Sequence, residues 1–316
     1  MDHQRHTDLW PGEQDPPAPA GGAGLDAVCV GETMALLVPD PAGTDGRRSF
    51  QLEIGGAESN VAIHLARTGL RVAWYSALGD DDLGRHVRGR VAAEGVDCRV
   101  RTDPDRPTGL YLKEFDGTGR TRVRYYRRGS AALALGAADA ARVRAEAPRL
   151  VHTTGITPAL SEGCRALVDA LFTEAAPGTL RSFDVNYRPA LHGPDEARVL
   201  RETARRADVV FCGLDEAESL WGAATLDDVR ELLEGPDLLV VKQGAEGATA
   251  FRGGRSWFAP APEVEVVEPV GAGDAFAAGV LHGLLTGADV AASLAEGARL
   301  AGTALGVRGD IPPRPS

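Results

Sequence analysis

Short apolar runs alternate along the chain with longer stretches in which apolar residues recur every three or four positions. The runs are Ala27-Val28-Cys29-Val30-Gly31, Val72–Ser76, Leu150–His152, Arg181–Val185, Val209–Cys212 and Leu238–Val241. Such runs, bounded by glycine or polar residues, predict buried strands. Helical spacing follows the first run near Ser59–Arg67, ending at Thr68-Gly69, and another helix is expected over Leu83–Glu94. This alternation predicts an α/β fold with a mostly parallel central sheet covered by helices on both faces. From about Cys98 to Arg128 the rhythm changes. Gly109–Lys113 and Val123–Arg127 alternate apolar with polar, as half-exposed antiparallel strands do, and Asp116-Gly117 suits the turn between them. Segments at about 32–54 and 98–128 are therefore expected to form a small β-sheet lid. In α/β sheets, ligands collect beyond the C-terminal ends of the strands.

Composition narrows the possibilities. The chain has 316 residues and a net charge of -11, with no basic tract to neutralise nucleic-acid phosphates. No apolar run approaches the ~20 residues that span a bilayer. Residues 1–24 are rich in Pro, Gly, Ala and Asp and lack the apolar core of a signal peptide, so they read as a disordered leader. Residues 25–316 are then one domain. The four cysteines, Cys29, Cys98, Cys164 and Cys212, form no Cys-x-x-Cys pair. They indicate neither a zinc site nor a disulfide framework, and a cytoplasmic setting fits. Only two lysines occur, Lys113 and Lys242.

The most informative chemistry lies at Gly271-Ala272-Gly273-Asp274, which follows Pro269 and opens an apolar helical pattern running to about Leu285. Backbone N–H groups at a helix start have no helical acceptor, and with the helix dipole they attract anions. A carboxylate at Asp274 could take a proton from a hydroxyl while those N–H groups steady a transferring phosphoryl group. The plainer reading is helix capping. The segment is not a Walker A loop, since neither lysine stands in Gly-Lys-Ser/Thr, and it is not a Gly-x-Gly-x-x-Gly turn after the first strand.

Gly-Ala-Gly-Asp opening a C-terminal helix resembles the signature of the ribokinase-like carbohydrate kinases. Gly55-Gly56-Ala57-Glu58-Ser59-Asn60-Val61-Ala62, Leu65–Gly69 and Leu78-Gly79-Asp80-Asp81-Asp82-Leu83-Gly84 resemble that family's N-terminal signature. The two signatures stand in the expected order, and the likeness covers about residues 25–311. It implies a ribokinase-like three-layer α/β/α sandwich with a small β-sheet lid. It implies Asp274 as catalytic base, the Gly271, Ala272 and Gly273 backbone as anion hole, and ATP with Mg²⁺ as donor. Whether a monovalent cation takes part is left open.

Two further segments resemble those of 2-keto-3-deoxygluconate kinases: Tyr125-Tyr126-Arg127-Arg128-Gly129-Ser130-Ala131 and Asp184-Val185-Asn186-Tyr187-Arg188-Pro189. Arg127 and Arg188 are candidates to hold a sugar-acid carboxylate by paired hydrogen bonds. Tyr111 and Tyr125 would supply hydroxyls and a flat wall, and Gly56 and Asn60 would meet sugar hydroxyls. The plainer alternatives are lid packing for the tyrosines and a solvated lid charge for Arg127, beside Arg122, Arg124 and Arg128. Asn186 stands with Asp184 at a strand end that suits either a phosphate and metal network or a simple turn. Val241–Gly247 resembles the family's nucleotide-contacting strand end, which makes Lys242, Gly244 and Gly247 candidates for the nucleotide; the alternative is a strand-to-strand turn.

The chain departs from the family pattern twice. Glu268-Pro269 stands where Asp-Thr is usual, and Gly213-Leu214-Asp215-Glu216 keeps only the Glu of Asn-x-x-Glu, leaving Glu216 as the metal candidate. The expected function is phosphorylation of 2-keto-3-deoxygluconate to its 6-phosphate. The alternatives are a kinase for another sugar, such as fructose, ribose or a related keto-deoxy acid, and a non-catalytic sugar- or nucleotide-binding regulator. A homo-oligomer joined through the lid is expected, because open sheet edges tend to be covered. The adenine site is expected near the last helix, around Ala298–Leu305.

Overall fold

The computed structural model describes residues 24–40, 49–115, 121–193, 195–307 and 309–314. Residues 1–23 of the expected leader and the Asp116-Gly117 turn lie outside the described residues. The N-terminal half runs β1 (Ala27–Val30), β2 (Met34–Asp40), β3 (Ser49–Gly55), α1 (Ala57–Arg67), β4 (Val72–Gly79), α2 (Asp82–Ala93), β5 (Asp97–Asp103), β6 (Leu110–Phe115) and β7 (Thr121–Tyr126). The middle follows as α3 (Ala137–Ala145), β8 (Leu150–Thr154), α4 (Ile156–Leu160), α5 (Glu162–Thr173), β9 (Leu180–Asp184), α6 (Glu196–Ala204), β10 (Val209–Gly213), α7 (Leu214–Trp221) and α8 (Leu226–Leu232). The chain then passes through β11 (Leu238–Lys242), β12 (Gly247–Arg252), β13 (Arg255–Pro260), α9 (Ala272–Thr286) and α10 (Val290–Leu305).

Nine strands form the central sheet in the order β13-β12-β11-β10-β9-β8-β1-β4-β5. From β11 to β5 every pairing is parallel; β12 and β13 close one edge as antiparallel strands. Because side chains alternate across a strand, the apolar runs feed two cores. Ala27, Cys29, Val209, Phe211, Leu238 and Val240 pack on one face with residues of α1, α2, α9 and α10. Val28, Val30, Val210, Cys212, Leu239 and Val241 pack on the other with residues of α3, α5, α6, α7 and α8. This is the expected three-layer sandwich.

The smaller sheet has the order β3-β2-β6-β7. Its β2–β6 pairing is parallel, whereas β2–β3 and β6–β7 are antiparallel. The structure corrects the expected lid limits. Asp97–Asp103 pairs with β4 at the edge of the central sheet, so the second lid segment begins near Leu110 and not at Cys98. An edge strand half open to solvent shows the same apolar–polar alternation as a lid strand, and the sequence pattern cannot tell them apart.

Candidate active site

A cleft of about 610 Å³ opens where the parallel strands end and the lid faces them. Its wall includes Glu32 after β1, Asn186 after β9, Gly213 at the end of β10 and Glu216 beyond it, Lys242 at the end of β11 and Gly244 beyond it, and Gly271, Gly273 and Asp274 at the start of α9. The lid adds Tyr111, Tyr125 and Arg127, and the start of α1 adds Gly56 and Asn60.

Gly271 opens α9 with φ +83°, in the left-handed region that suits glycine. A Cβ there would also lie 2.4 Å from the Asp310 carbonyl oxygen. Only glycine can therefore make this turn against the C-terminal segment. The Ala272 N–H donates to the Pro269 carbonyl at 3.3 Å, and Ala272 is not among the lining residues. Gly271 and Gly273 are the parts of the turn that face the cleft. Lys242 lies opposite, its ammonium 3.7 Å from where a Cβ on Gly273 would stand.

Asp274 is open to the cleft on one side and crowded on the others. This desolvation pushes its pKa up to about 7, against a hydrogen bond from Asn60 Nδ2 at 2.8 Å that favours the charged form. Asp184 adds to the rise and Arg188 opposes it. A carboxylate poised near neutrality beside backbone donors is suited to accept a proton from a hydroxyl. The other Asn60 side-chain atom, Oδ1, is buried and has no hydrogen-bond partner among the described residues, and the same holds for Asn186 Oδ1 and Arg127 Nε. Buried polar atoms are normally paired, so these three mark where a polar ligand would complete the cleft.

Lys242 donates to both oxygens of Asp184, at 2.9 and 2.8 Å. Burial alone would lower the lysine's pKa, but Asp184 and Glu216 outweigh it and hold the ammonium above its ordinary value. Glu216 accepts from Gly213 N at 2.8 Å and Tyr187 N at 3.2 Å, and burial raises its pKa while Lys242 pulls it down. Asn186 adopts φ +44°, a conformation Asn tolerates better than most residues, so turn chemistry and a place in the cleft coexist there.

The two arginines differ. Arg188 keeps 48% of its side chain exposed, with Glu216 3.8 Å away. Arg127 is not the solvated lid charge that the neighbouring arginines suggest. Its side chain is only 13% exposed, it is paired with Glu32, and it stacks 5.6 Å from the Tyr125 ring centroid. Tyr111 is buried and donates its hydroxyl to Asp310 at 3.0 Å, while Tyr125 remains partly exposed. Gly247 does not line the cleft; it begins β12, where a Cβ would lie 2.1 Å from the Ala259 carbonyl oxygen. The Lys242–Gly247 segment is thus the hairpin between β11 and β12, with only Lys242 and Gly244 turned to the cleft.

Several side chains at the site have partners that a single sequence does not reveal. Glu32 holds both Arg127 and Ser130. Glu58 is fully buried and accepts from Thr157 Oγ1 at 2.7 Å and from Thr154 Oγ1 at 2.8 Å. Glu268, one of the departures from the family pattern, pairs with Lys113 at 2.6 Å. Among the described residues, no three His, Cys, Asp or Glu side chains cluster as a metal cage, and no helix is long and apolar enough to cross a membrane.

Glycine-turn donors, a near-neutral carboxylate and a lid over the strand ends define a small-molecule phosphotransferase. The family model for pfkB family carbohydrate kinases matches residues 25–316. The chain belongs to that family and is a sugar kinase. It is 38% identical over 273 residues to the 2-dehydro-3-deoxygluconokinase of Bacillus subtilis (strain 168), covering 83% of this chain and 84% of that protein. It is 36% identical over 297 residues to the 2-dehydro-3-deoxygalactonokinase of Haloferax volcanii, covering 90% and 92%. Among solved structures, a PfkB protein from Polaromonas sp. JS666 superposes with a TM-score of 0.79 at 37% identity, covering 91% of this chain and 97% of that one.

Proposed function

We propose that the protein transfers the γ-phosphoryl group of ATP to the 6-hydroxyl of 2-keto-3-deoxygluconate (2-dehydro-3-deoxygluconate) or its galacto epimer. The observation that carries this reading is the set of unpartnered polar atoms on Asn60, Asn186 and Arg127 around a carboxylate poised near neutrality. The half-exposed Arg188 and the free Nε of Arg127 hold the sugar carboxylate, with Tyr125 as a wall. Asn60 and the Gly56 backbone place the acceptor hydroxyl beside Asp274. Asp274 takes the hydroxyl proton as the new O–P bond forms and the bond to ADP breaks. Gly271 and Gly273, with Lys242 opposite, face the charge on the transferring group.

The residues fit a magnesium ion held mostly through water and phosphate, as is usual for this metal. Glu216 and the unpartnered Oδ1 of Asn186 would hold it. When bound, the ion neutralises phosphate charge. A monovalent cation is left out: two carboxylates flanking the anion turn, Glu268 and Asp310, already have Lys113 as counter-ion. The adenine is placed along Val264, Val266 and Val267, which are exposed; Val267 N donates to the Leu305 carbonyl at the end of α10. A homo-oligomer through the lid belongs to the same reading, since β3 and β7 are the lid's edges and expose Phe50 and Tyr126.

The test is a coupled ADP-release assay against 2-keto-3-deoxygluconate, 2-keto-3-deoxygalactonate, fructose, ribose and adenosine. The expected result is strong preference for the keto-deoxy acids. In the same assay Arg188→Ala should raise KM for the acid by tenfold or more, an order of magnitude for a lost charge-assisted pair. Turnover of neutral sugars alone would remove the carboxylate clamp, and no turnover with any of them would remove the reading.

A further inference from the structure

Lys113 sits in lid strand β6 with none of its side chain exposed. A fully buried lysine is rare unless paired, and this one finds its partners outside the lid. Its ammonium lies 2.6 Å from Glu268 Oε1 and 3.2 Å from Asp310 Oδ1. Each carboxylate is held by a second donor: Asp310 Oδ2 accepts from Tyr111 Oη at 3.0 Å, and Glu268 Oε2 from Gly309 N at 3.0 Å.

These partners abut the machinery of transfer. Glu268 directly precedes Pro269 and the glycine turn. The Asp310 carbonyl oxygen is the atom that leaves no room for a Cβ on Gly271. The Asp310 carboxylate and the Tyr111 hydroxyl also converge on Gly55, where a Cβ would lie 2.7 and 1.8 Å from them. Gly55 ends β3, two residues before the helix that carries Asn60. One ammonium thus touches, through two carboxylates, the lid, the base of α1 and the turn that opens α9. Removing it would leave two carboxylates facing each other in a dry site, which buried charge does not tolerate without rearrangement.

We propose that Lys113 is a positioning residue whose ammonium ties the lid to the anion turn, so that a nucleotide seated at Gly271–Asp274 also sets the lid. The inference rests on the phosphoryl-transfer reading of the site. Coupling of this kind requires a physical connection whose arrangement both ends bias, and the Lys113 bridge is that connection.

The experiment is hydrogen–deuterium exchange of residues 110–115 and 121–126, with and without ADP, in the wild-type protein and Lys113→Met. Steady-state kinetics and thermal melts accompany it. In the wild type, ADP should slow lid exchange about tenfold, within the span of ordinary site-to-site couplings. Lys113→Met should still bind ADP, with Kd changed no more than about threefold, while its lid no longer responds; kcat should fall about tenfold and the sugar KM move much less. A lid that responds to ADP in Lys113→Met overturns the proposal. So does a wild-type lid blind to ADP, and so does a variant that only melts earlier with kcat per folded molecule unchanged. If Lys113→Met does not fold, Glu268→Gln and Asp310→Asn take its place, each leaving Lys113 one carboxylate. Both should weaken the lid response several-fold, and an unchanged response in both overturns the proposal. If the wild type turns over no sugar, the transfer reading falls, whereas the exchange arm still reads the tie.

Discussion

At the scale of single residues, the proposed reaction rests its chemistry on Asp274 and its tuning on Asn60. Asp274→Asn should leave ADP and sugar-acid binding intact and lower kcat by on the order of 10²–10⁴-fold, the usual loss with a general base. Undiminished turnover in that variant would sink the assignment. The pH dependence follows from the raised carboxyl. Below about pH 7 Asp274 is protonated and cannot accept, so kcat/KM should climb with pH and level off above about 7. The Asn60 hydrogen bond favours the charged form, so Asn60→Ala should move that limb to higher pH; a limb that stays put or moves down contradicts this account. The same shift bears on stability. The folded value stands above the ordinary 3.8, so between that pH and about 7 the unfolded carboxyl ionises while the folded one does not. This group's contribution to stability therefore falls across that window and is constant above it.

Secondary-structure elements position these residues through close backbone packing. Helices α9 and α10 meet at glycines: a Cβ on Gly279 would lie 2.6 Å from the Glu296 carbonyl oxygen and 2.7 Å from Gly297 backbone. Alanine there would gain about 1 kcal/mol of helix propensity. The clash is with backbone, which cannot swing aside, and overpacking of this sort costs about 1–3 kcal/mol. Gly279→Ala should therefore lower the melting temperature, and an unchanged or higher value would show that the helix pair can spread. Elements were also the most legible part of the sequence. The parallel strands β1, β4, β8, β9, β10 and β11 showed as apolar runs because a parallel sheet buries both faces. Strand β5 did not declare its sheet, since one side of it is open and its alternation matches that of a lid strand. Among site residues, Gly271, Gly273, Asp274 and Asn60 were visible because motif and element boundary coincide. Glu32 and Asp310 were not, and Glu58, although inside the quoted signature, gave no hint of its buried partners. A buried carboxylate gives no periodic signal, and its role depends on partners between about 95 and 200 positions away, such as Ser130 for Glu32 and Tyr111 for Asp310.

Over the whole molecule, positive charge is divided unequally between two side-chain types. Of the 34 basic residues only Lys113 and Lys242 are lysines, and both ammonium groups are held by carboxylates at the cleft. Arginine supplies the exposed positive surface. An amine-acylating reagent at neutral pH would thus find, besides the α-amino group, targets only where the lid meets the strand ends. Labelling stoichiometry, read by mass spectrometry, becomes a gauge of how far the two sheets have parted. Ligands seated in the cleft should shield Lys242, whereas Lys113, already fully buried, should take label only when the lid lifts away.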